Sequence, residues 1–370
     1  MLSVWSRRAA GAVAVAALSL GSGSAADPLT PPPVIPTGLA SEPAGPVLDV
    51  TPPSIPGGHH TGHGLPHTTV CPPGEKWEEK KERPAGFFGS AELIFWRPRF
   101  ADTAFALRDP TFDLTPSGRI EDINPDTRLG LRVGGGYRLE SGWGVGLLYT
   151  YLESNDGSAI AAPAGGVIYP TLTRPGIVDR AATAAADAGL TYQLFDLDVS
   201  KTVELDKHLA LRTFAGVRFA NIDSDLNAGY DGQLARQARV ASTSEFVGAG
   251  PTAGAEATWE AGPIGLFGAA RGGLVYGRFD SRLTEVNANG TVPLADVSDR
   301  AFGLAPTMTV QLGGSYNWRG LSVAAGYEVT HWFGAVSRPT FTDDFADGRV
   351  ARKRSDLSLD GVFVRLMASY

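Results

Sequence analysis

Charged residues recur at alternate positions of otherwise apolar stretches, and their types bound the chemistry open to this chain. Five carboxylates, Glu92, Asp196, Asp198, Glu256 and Glu328, and seven guanidiniums, Arg128, Arg132, Arg138, Arg212, Arg218, Arg271 and Arg365, fall by parity on a single polar face. Groups of both signs on an enclosed face can line a narrow ion path, or they can pair across it and close it. Glycines at 130, 134, 136, 144 and 146 share that face and leave space beside the arginines, which favours some water inside.

Other constellations carry less. His59, His60, His63, His67 and Cys71 have the ligand types for a soft or borderline metal. Their spacings match no closed tetrahedral motif, and a Pro- and Gly-rich stretch does not preorganise a site, so no metal or cofactor is expected. His331 with Asp343 and Asp344 has the groups for acid–base work. No Gly-x-Ser-x-Gly motif accompanies them, and His331 beside Trp332 and Phe333 reads as part of an interfacial aromatic cluster. The expectation is therefore a protein that is not an enzyme, with an outer-rim hydrolase as the minor alternative. Asp343 and Asp344, with Asp347, also suit a surface calcium ion, although such runs are usually just solvated.

The elements that hold these residues are strands. From Arg128 to Leu139 one face carries Leu129, Leu131, Val133, Tyr137 and Leu139, and the other Arg128, Gly130, Arg132, Gly134, Gly136 and Arg138. After a turn at Glu140-Ser141-Gly142 the pattern repeats, with Trp143, Val145, Leu147, Tyr149 and Tyr151 on the apolar face. A period of two means a strand with one greasy and one wet side. Each strand is roughly 11 residues long, which is what a tilted strand needs to cross a bilayer and about twice the usual soluble length.

The ends and the composition set limits. Arg7-Arg8, an apolar run from Ala9 to Leu20 and the small-residue exit Ser24-Ala25-Ala26 read as an export signal over 1–26, cleaved on export. No other apolar run approaches spanning length, so a membrane protein of this composition is not helical. Residues 27–85 hold fourteen of the 26 prolines and four of the six histidines with almost no apolar periodicity, which predicts a disordered periplasmic linker. The net charge of -7 argues against nucleic acid as a partner. The single cysteine excludes an intrachain disulfide framework.

From Gly86 onward the alternation predicts ten strands: 86–98, the hairpin already described, 190–203, 209–220, 244–259, 264–279, 304–318, 321–333 and 356–370. Short turns at 140–142, 205–208, 260–263 and 319–320 alternate with long loops at 98–126, 155–189, 221–243, 280–303 and 334–355, as in barrels whose inner turns are short and outer loops long. Trp143, Trp259 and Trp318 lie on the apolar face at the short-turn end, where lipid meets water, and terminal Tyr370 joins them as an interfacial aromatic. Trp96 and Trp332 count to the inner face. Pro251 and Pro306 fall inside strands, which predicts a bulge at the first and a late strand start at the second. The fold expected is all-β, an antiparallel up-and-down transmembrane β-barrel over 86–370 of about ten strands, with twelve the other count.

Several stretches resemble a known family: Glu92-Leu93-Ile94-Phe95-Trp96, Phe214-Ala215-Gly216-Val217-Arg218-Phe219-Ala220, Gly248-Ala249-Gly250-Pro251 leading to Gly254 and Glu256, Gly326-Tyr327-Glu328, and Leu359-Asp360-Gly361-Val362-Phe363-Val364-Arg365-Leu366. Over roughly 86–370 they look like the pore-forming outer-membrane proteins related to the Legionella major outer-membrane protein. The resemblance implies a bacterial outer membrane location and a porin-like role. Tyr370 resembles the C-terminal signal through which such strands meet the barrel-assembly machinery. Outer-membrane lipid and ions or small solutes are the expected partners. Since ten strands lie near the side-chain-filled limit of barrel width, a narrow, weakly selective pore and an occluded barrel with a structural or adhesin-like surface role remain the two readings.

Overall fold

The computed structural model describes residues 85–113, 115–342 and 348–369. The expected signal peptide, the linker through residue 84 with its histidines and Cys71, Asp343, Asp344, Asp347 and Tyr370 lie outside the described residues.

Thirteen strands occur among the described residues: β1 (Gly86–Phe100), β2 (Ala104–Asp109), β3 (Arg119–Asp122), β4 (Arg128–Arg138), β5 (Trp143–Ala161), β6 (Val167–Pro170), β7 (Thr183–Glu204), β8 (Leu209–Gly232), β9 (Ala235–Ala261), β10 (Ile264–Asn287), β11 (Val292–Trp318), β12 (Leu321–Phe341) and β13 (Val350–Ser369). Ten of them close an antiparallel barrel in the order β1-β13-β12-β11-β10-β9-β8-β7-β5-β4, with β4 pairing back onto β1. The other three, in the order β3-β2-β6, form a small separate sheet. Closure leaves the membrane-level ladder without an edge.

A contiguous outward band of apolar side chains girdles the barrel. On β7 it runs from Val203 to Phe195, on β8 from Leu211 to Phe219 and on β13 from Leu366 to Val362. Leu131, Val145 and Val364 keep 43, 51 and 45 % of their surface outside the protein, so they do not meet in a shared interior as a pair of stacked sheets would require. So much exposed hydrocarbon is unfavourable in water and satisfied by lipid. Trp143, Trp259 and Trp318 stand on this face at the short-turn end, each about half exposed.

The strands extend well past the band, which overturns the long-loop expectation for 221–243 and 280–303. β8 and β9 are joined by two residues, and β10 and β11 by four. The reason is a reversal of polarity along β8, β9 and β10. Above Phe219 on β8, Asn221, Asp223, Asp225 and Asn227 turn outward, while Ile222, Leu226 and Tyr230 are buried inside. Alternation continues there with water in place of lipid outside.

Neither proline expectation holds. Pro251 pairs with Val217 in register and makes no bulge; only its rungs toward β10 are missing, between Thr252 opposite Gly273 and Ala249 opposite Tyr276. Pro306 pairs with Leu274 in mid-strand, because β11 starts at Val292. It does sit next to an irregularity: the β11–β12 ladder ends at Thr307 opposite Trp332. Above that rung β11 pairs with β10 alone, and β12, after a break in register between Trp332 and Val336, pairs with β13 alone. Gly334 adopts a positive φ of 59° at this break, a conformation that a side chain would strain. The upper β12 segment leans inward against β9 and β10.

Candidate functional site: the barrel lumen

The lumen is organised in layers. At the short-turn end lies a cavity of about 620 Å³, lined among others by Phe88, Ser90, Arg138, Ser200 and Thr258. Eleven of the twelve predicted lining residues border it: Glu92, Arg132, Arg138, Asp196, Asp198, Arg212, Glu256, Arg218, Arg271, Glu328 and Arg365. Arg128 does not. It sits at the far end of β4, bound to Asp156 and to the Asn155 carbonyl, with 40 % of its side chain exposed.

Most of these charges pair within the lumen, some between neighbouring strands and some across it. Arg132 donates from Nη1 to Glu92 Oε1 at 2.5 Å and grips Glu328 through Nη1 and Nη2 at 2.8 and 2.9 Å. Arg365 Nε reaches Glu92 Oε2 at 2.5 Å, and its Nη2 reaches Gln311 Oε1 at 3.1 Å. Gln311 donates in turn to Glu328. Arg218 holds Asp196 by two bonds of 2.7 and 3.0 Å, and Arg271 spans Asp196 and Asp198 at 3.0 and 2.5 Å. Four guanidiniums thus face four carboxylates, and the layer is neutral. Bidentate pairing of this kind is strong and geometrically fixed.

Directly above lies an apolar layer that parity alone hinted at. Trp96 and Trp332 are fully buried, and Tyr192 lies between them with ring centroids 6.1 and 6.3 Å away in edge-on contact. Trp332 Nε1 donates to the Tyr192 hydroxyl at 2.9 Å. Phe246, Phe279 and Phe363 pack into the same cluster. The arginine layer is tied to it: the Arg132 guanidinium lies 5.1 Å from the Trp96 ring and that of Arg218 5.8 Å from Trp332. Parity puts both tryptophans inside; their contact with Tyr192 from a third strand is what closes the bore.

The glycines give less space than expected. A Cβ on Gly130 would come within 2.8 Å of the Ile94 side chain, on Gly134 within 2.6 Å of Leu148, and on Gly136 within 2.6 Å of Phe88. These inward apolar side chains occupy the room the glycines leave. At the far end a third layer closes the mouth: Phe105, Ile123, Ile168 and Val178, on or beside the small sheet, pack against Leu226, Tyr230, Val240 and Leu283 of the inner wall. The Tyr230 hydroxyl donates to the Phe105 carbonyl at 2.6 Å.

His331 lies on the outer wall. Its Nδ1 is 2.6 Å from Ser358 Oγ, and its Nε2 is 3.6 Å from Asp356 Oδ2. The three residue types are those of a hydrolytic triad, yet Asp356 is beyond hydrogen-bond distance and its Oδ1 already accepts the Gly334 N–H at 2.7 Å.

Comparison with known proteins agrees with this architecture. The family model described as Legionella pneumophila major outer membrane protein precursor matches residues 83–369. No curated protein matches. Among solved structures, the chain is similar to the outer membrane protease OmpT from Escherichia coli, at 10 % identity and a TM-score of 0.47, covering 79 % of this chain and 99 % of that one. It is also similar to the P. putida toluene transporter TodX, at 8 % identity and a TM-score of 0.18 over 78 % and 90 %. An anion-selective porin from Comamonas acidovorans matches at 10 % identity and a TM-score of 0.13 over 77 % and 99 %. With its closed ten-strand barrel, its lipid-facing band and a match over residues 83–369, the chain belongs to the Legionella major outer membrane protein family, a family of bacterial outer-membrane β-barrels.

Proposed function

We propose that this protein is an outer-membrane barrel that stands closed and presents its extracellular half as a fixed surface for structural or adhesive contact. The observation that carries this reading is the apolar layer at mid-lumen, where Trp96, Tyr192, Trp332, Phe246 and Phe363 keep at most 1 % of their surface exposed. Such packing leaves no column of water for an ion to follow. The layer stands on a network of four guanidiniums and four carboxylates, which carries no net charge of its own. Short turns face the periplasm in barrels of this kind, which puts the extended hairpins outside the cell. Export by a cleaved signal, assembly through the C-terminal strand and the absence of catalysis belong to the same proposal.

A second reading, a narrow pore for ions or small solutes that opens by rearrangement, is favoured by the polar cavity of about 620 Å³ reaching up to the ion-pair layer from the turn end. Planar-bilayer recording of the refolded full chain separates the two. The closed barrel gives no stable conductance steps at any voltage the bilayer survives; reproducible steps in symmetric salt would replace it with the pore.

A further inference from the structure

The cavity at the short-turn end carries polar groups that the protein itself leaves unused. Its floor is the ion-pair layer, where Arg132, Arg218, Arg271 and Arg365 are committed to the carboxylates around them. In its wall, Arg212 on β8 and Glu256 on β9 are cross-strand partners in register, and both border the open space. Neither makes an ion pair or a side-chain hydrogen bond among the described residues. Arg212 lies instead over the Phe214 ring, 5.5 Å from its centroid, and Arg271 lies 4.6 Å from the same ring. The Ser90 and Thr258 hydroxyls and the Asn317 amide border the cavity and are equally uncommitted. Open space sets this arginine apart from Arg338 of upper β12, which is 5 % exposed and donates to Ser224 Oγ at 2.7 Å.

The arrangement selects for a ligand that carries both signs. A lone anion at Arg212 is opposed by the Glu256 carboxylate on the next strand, and a lone cation at Glu256 is opposed by Arg212. A zwitterion satisfies both, its carboxylate on the planar guanidinium fork and its ammonium on the carboxylate. Phe88, Phe214, Phe267 and Met367 line the same space and give an apolar side chain cover from water. A volume of about 620 Å³ lies within the range of small-molecule pockets. It holds roughly two or three amino-acid residues and excludes a folded partner.

We propose that the cavity binds short zwitterionic peptides with free termini and an apolar side chain, the C-terminal carboxylate on Arg212 and the N-terminal ammonium on Glu256. Gly142, Arg319 and Gly320 of the short turns stand at its border, and such turns face the periplasm in barrels of this kind. The peptide enters from that side and needs no passage through the aromatic layer. The site goes beyond the closed-barrel reading and stands whether or not the lumen ever opens.

Isothermal titration calorimetry on the full chain refolded in detergent compares the dipeptide leucyl-phenylalanine with its N-acetylated, C-amidated and doubly capped forms at neutral pH. The free dipeptide is expected to bind, and each cap to weaken binding by roughly tenfold or more. Arg212→Met removes the penalty of the amide and keeps that of the acetyl group; Glu256→Gln does the reverse. Loss of fold would not give this crossed pattern, and the four-ligand comparison on the parent chain decides the matter alone if either variant does not fold. No heat from the free dipeptide at millimolar concentration, equal affinity for the capped forms, or cap penalties that survive both substitutions would each overturn the proposal.

Discussion

Arg132 and Glu328, 196 positions apart in the chain, meet in the lumen through two parallel hydrogen bonds of 2.8 and 2.9 Å. Both side chains are almost wholly buried. Removing one partner strands a largely buried charge without its counter-ion. Arg132→Met is therefore expected to destabilise the barrel by about 3–5 kcal/mol, while the double variant Arg132→Met/Glu328→Met recovers much of the loss. Chemical denaturation of the refolded protein followed by tryptophan fluorescence measures both.

Arg354 bridges the open seam between β11 and β12. Arg354 donates to the Leu304 carbonyl at 2.8 Å and to the Gly334 carbonyl at 3.0 Å, and its guanidinium lies 4.3 Å from the Phe279 ring. These are the two strands whose ladder ends at Thr307 and Trp332. Replacing Arg354 by Met frees both carbonyls without disturbing the barrel below. Hydrogen exchange should quicken, by tenfold or more, across the upper β12 and β13 segments and stay unchanged in the membrane band. Uniform exchange across both regions would refute the bridging role.

Acid should loosen the same hairpin. The Arg352 guanidinium, bonded to Asp299 at 2.5 and 2.7 Å, holds the Asp299 carboxyl below its usual range. A carboxyl whose pKa is lower folded than unfolded adds stability that is present above the unfolded value, near 3.8, and lost as pH falls through the folded value. Protease nicking between β12 and β13 is thus expected to rise as pH drops below about 4. In Asp299→Asn it should already be raised at neutral pH and change less on acidification.

On the outer wall, Ser358 sits 2.6 Å from His331 Nδ1 without an aspartate in hydrogen-bond reach of Nε2. A fluorophosphonate probe is expected to leave Ser358 unlabelled. Labelling that disappears in His331→Ala would instead make the pair a working hydrolase.

The barrel was legible where lipid and lumen sort side chains by parity. Leu131 and Arg132, or Val217 and Arg218, face opposite ways as alternation requires, and eleven of the twelve charges chosen on that basis border the cavity. Above the band the same alternation persists with the signs exchanged, so Ile222 and Leu226 carry no sequence mark of an inner wall and residues 221–243 read as a loop. Arg338 was beyond parity altogether. Its burial follows from the break at Gly334, which turns β12 off its neighbour. The closure by Trp96, Tyr192 and Trp332 depends on three strands converging across the bore, a distance relation that no single strand encodes.

The change of sides between Phe219 and Asp223 has one more effect. Pushing the molecule deeper by a single residue pair would drag Asn221 and its neighbours into oil, and lifting it would leave Phe219 in brine. The chain thus carries its own waterline, set by residue order. With about 3.3 Å per residue and a tilt near 45°, the twelve residues of β8 above Ala220 stand roughly 28 Å clear of that line.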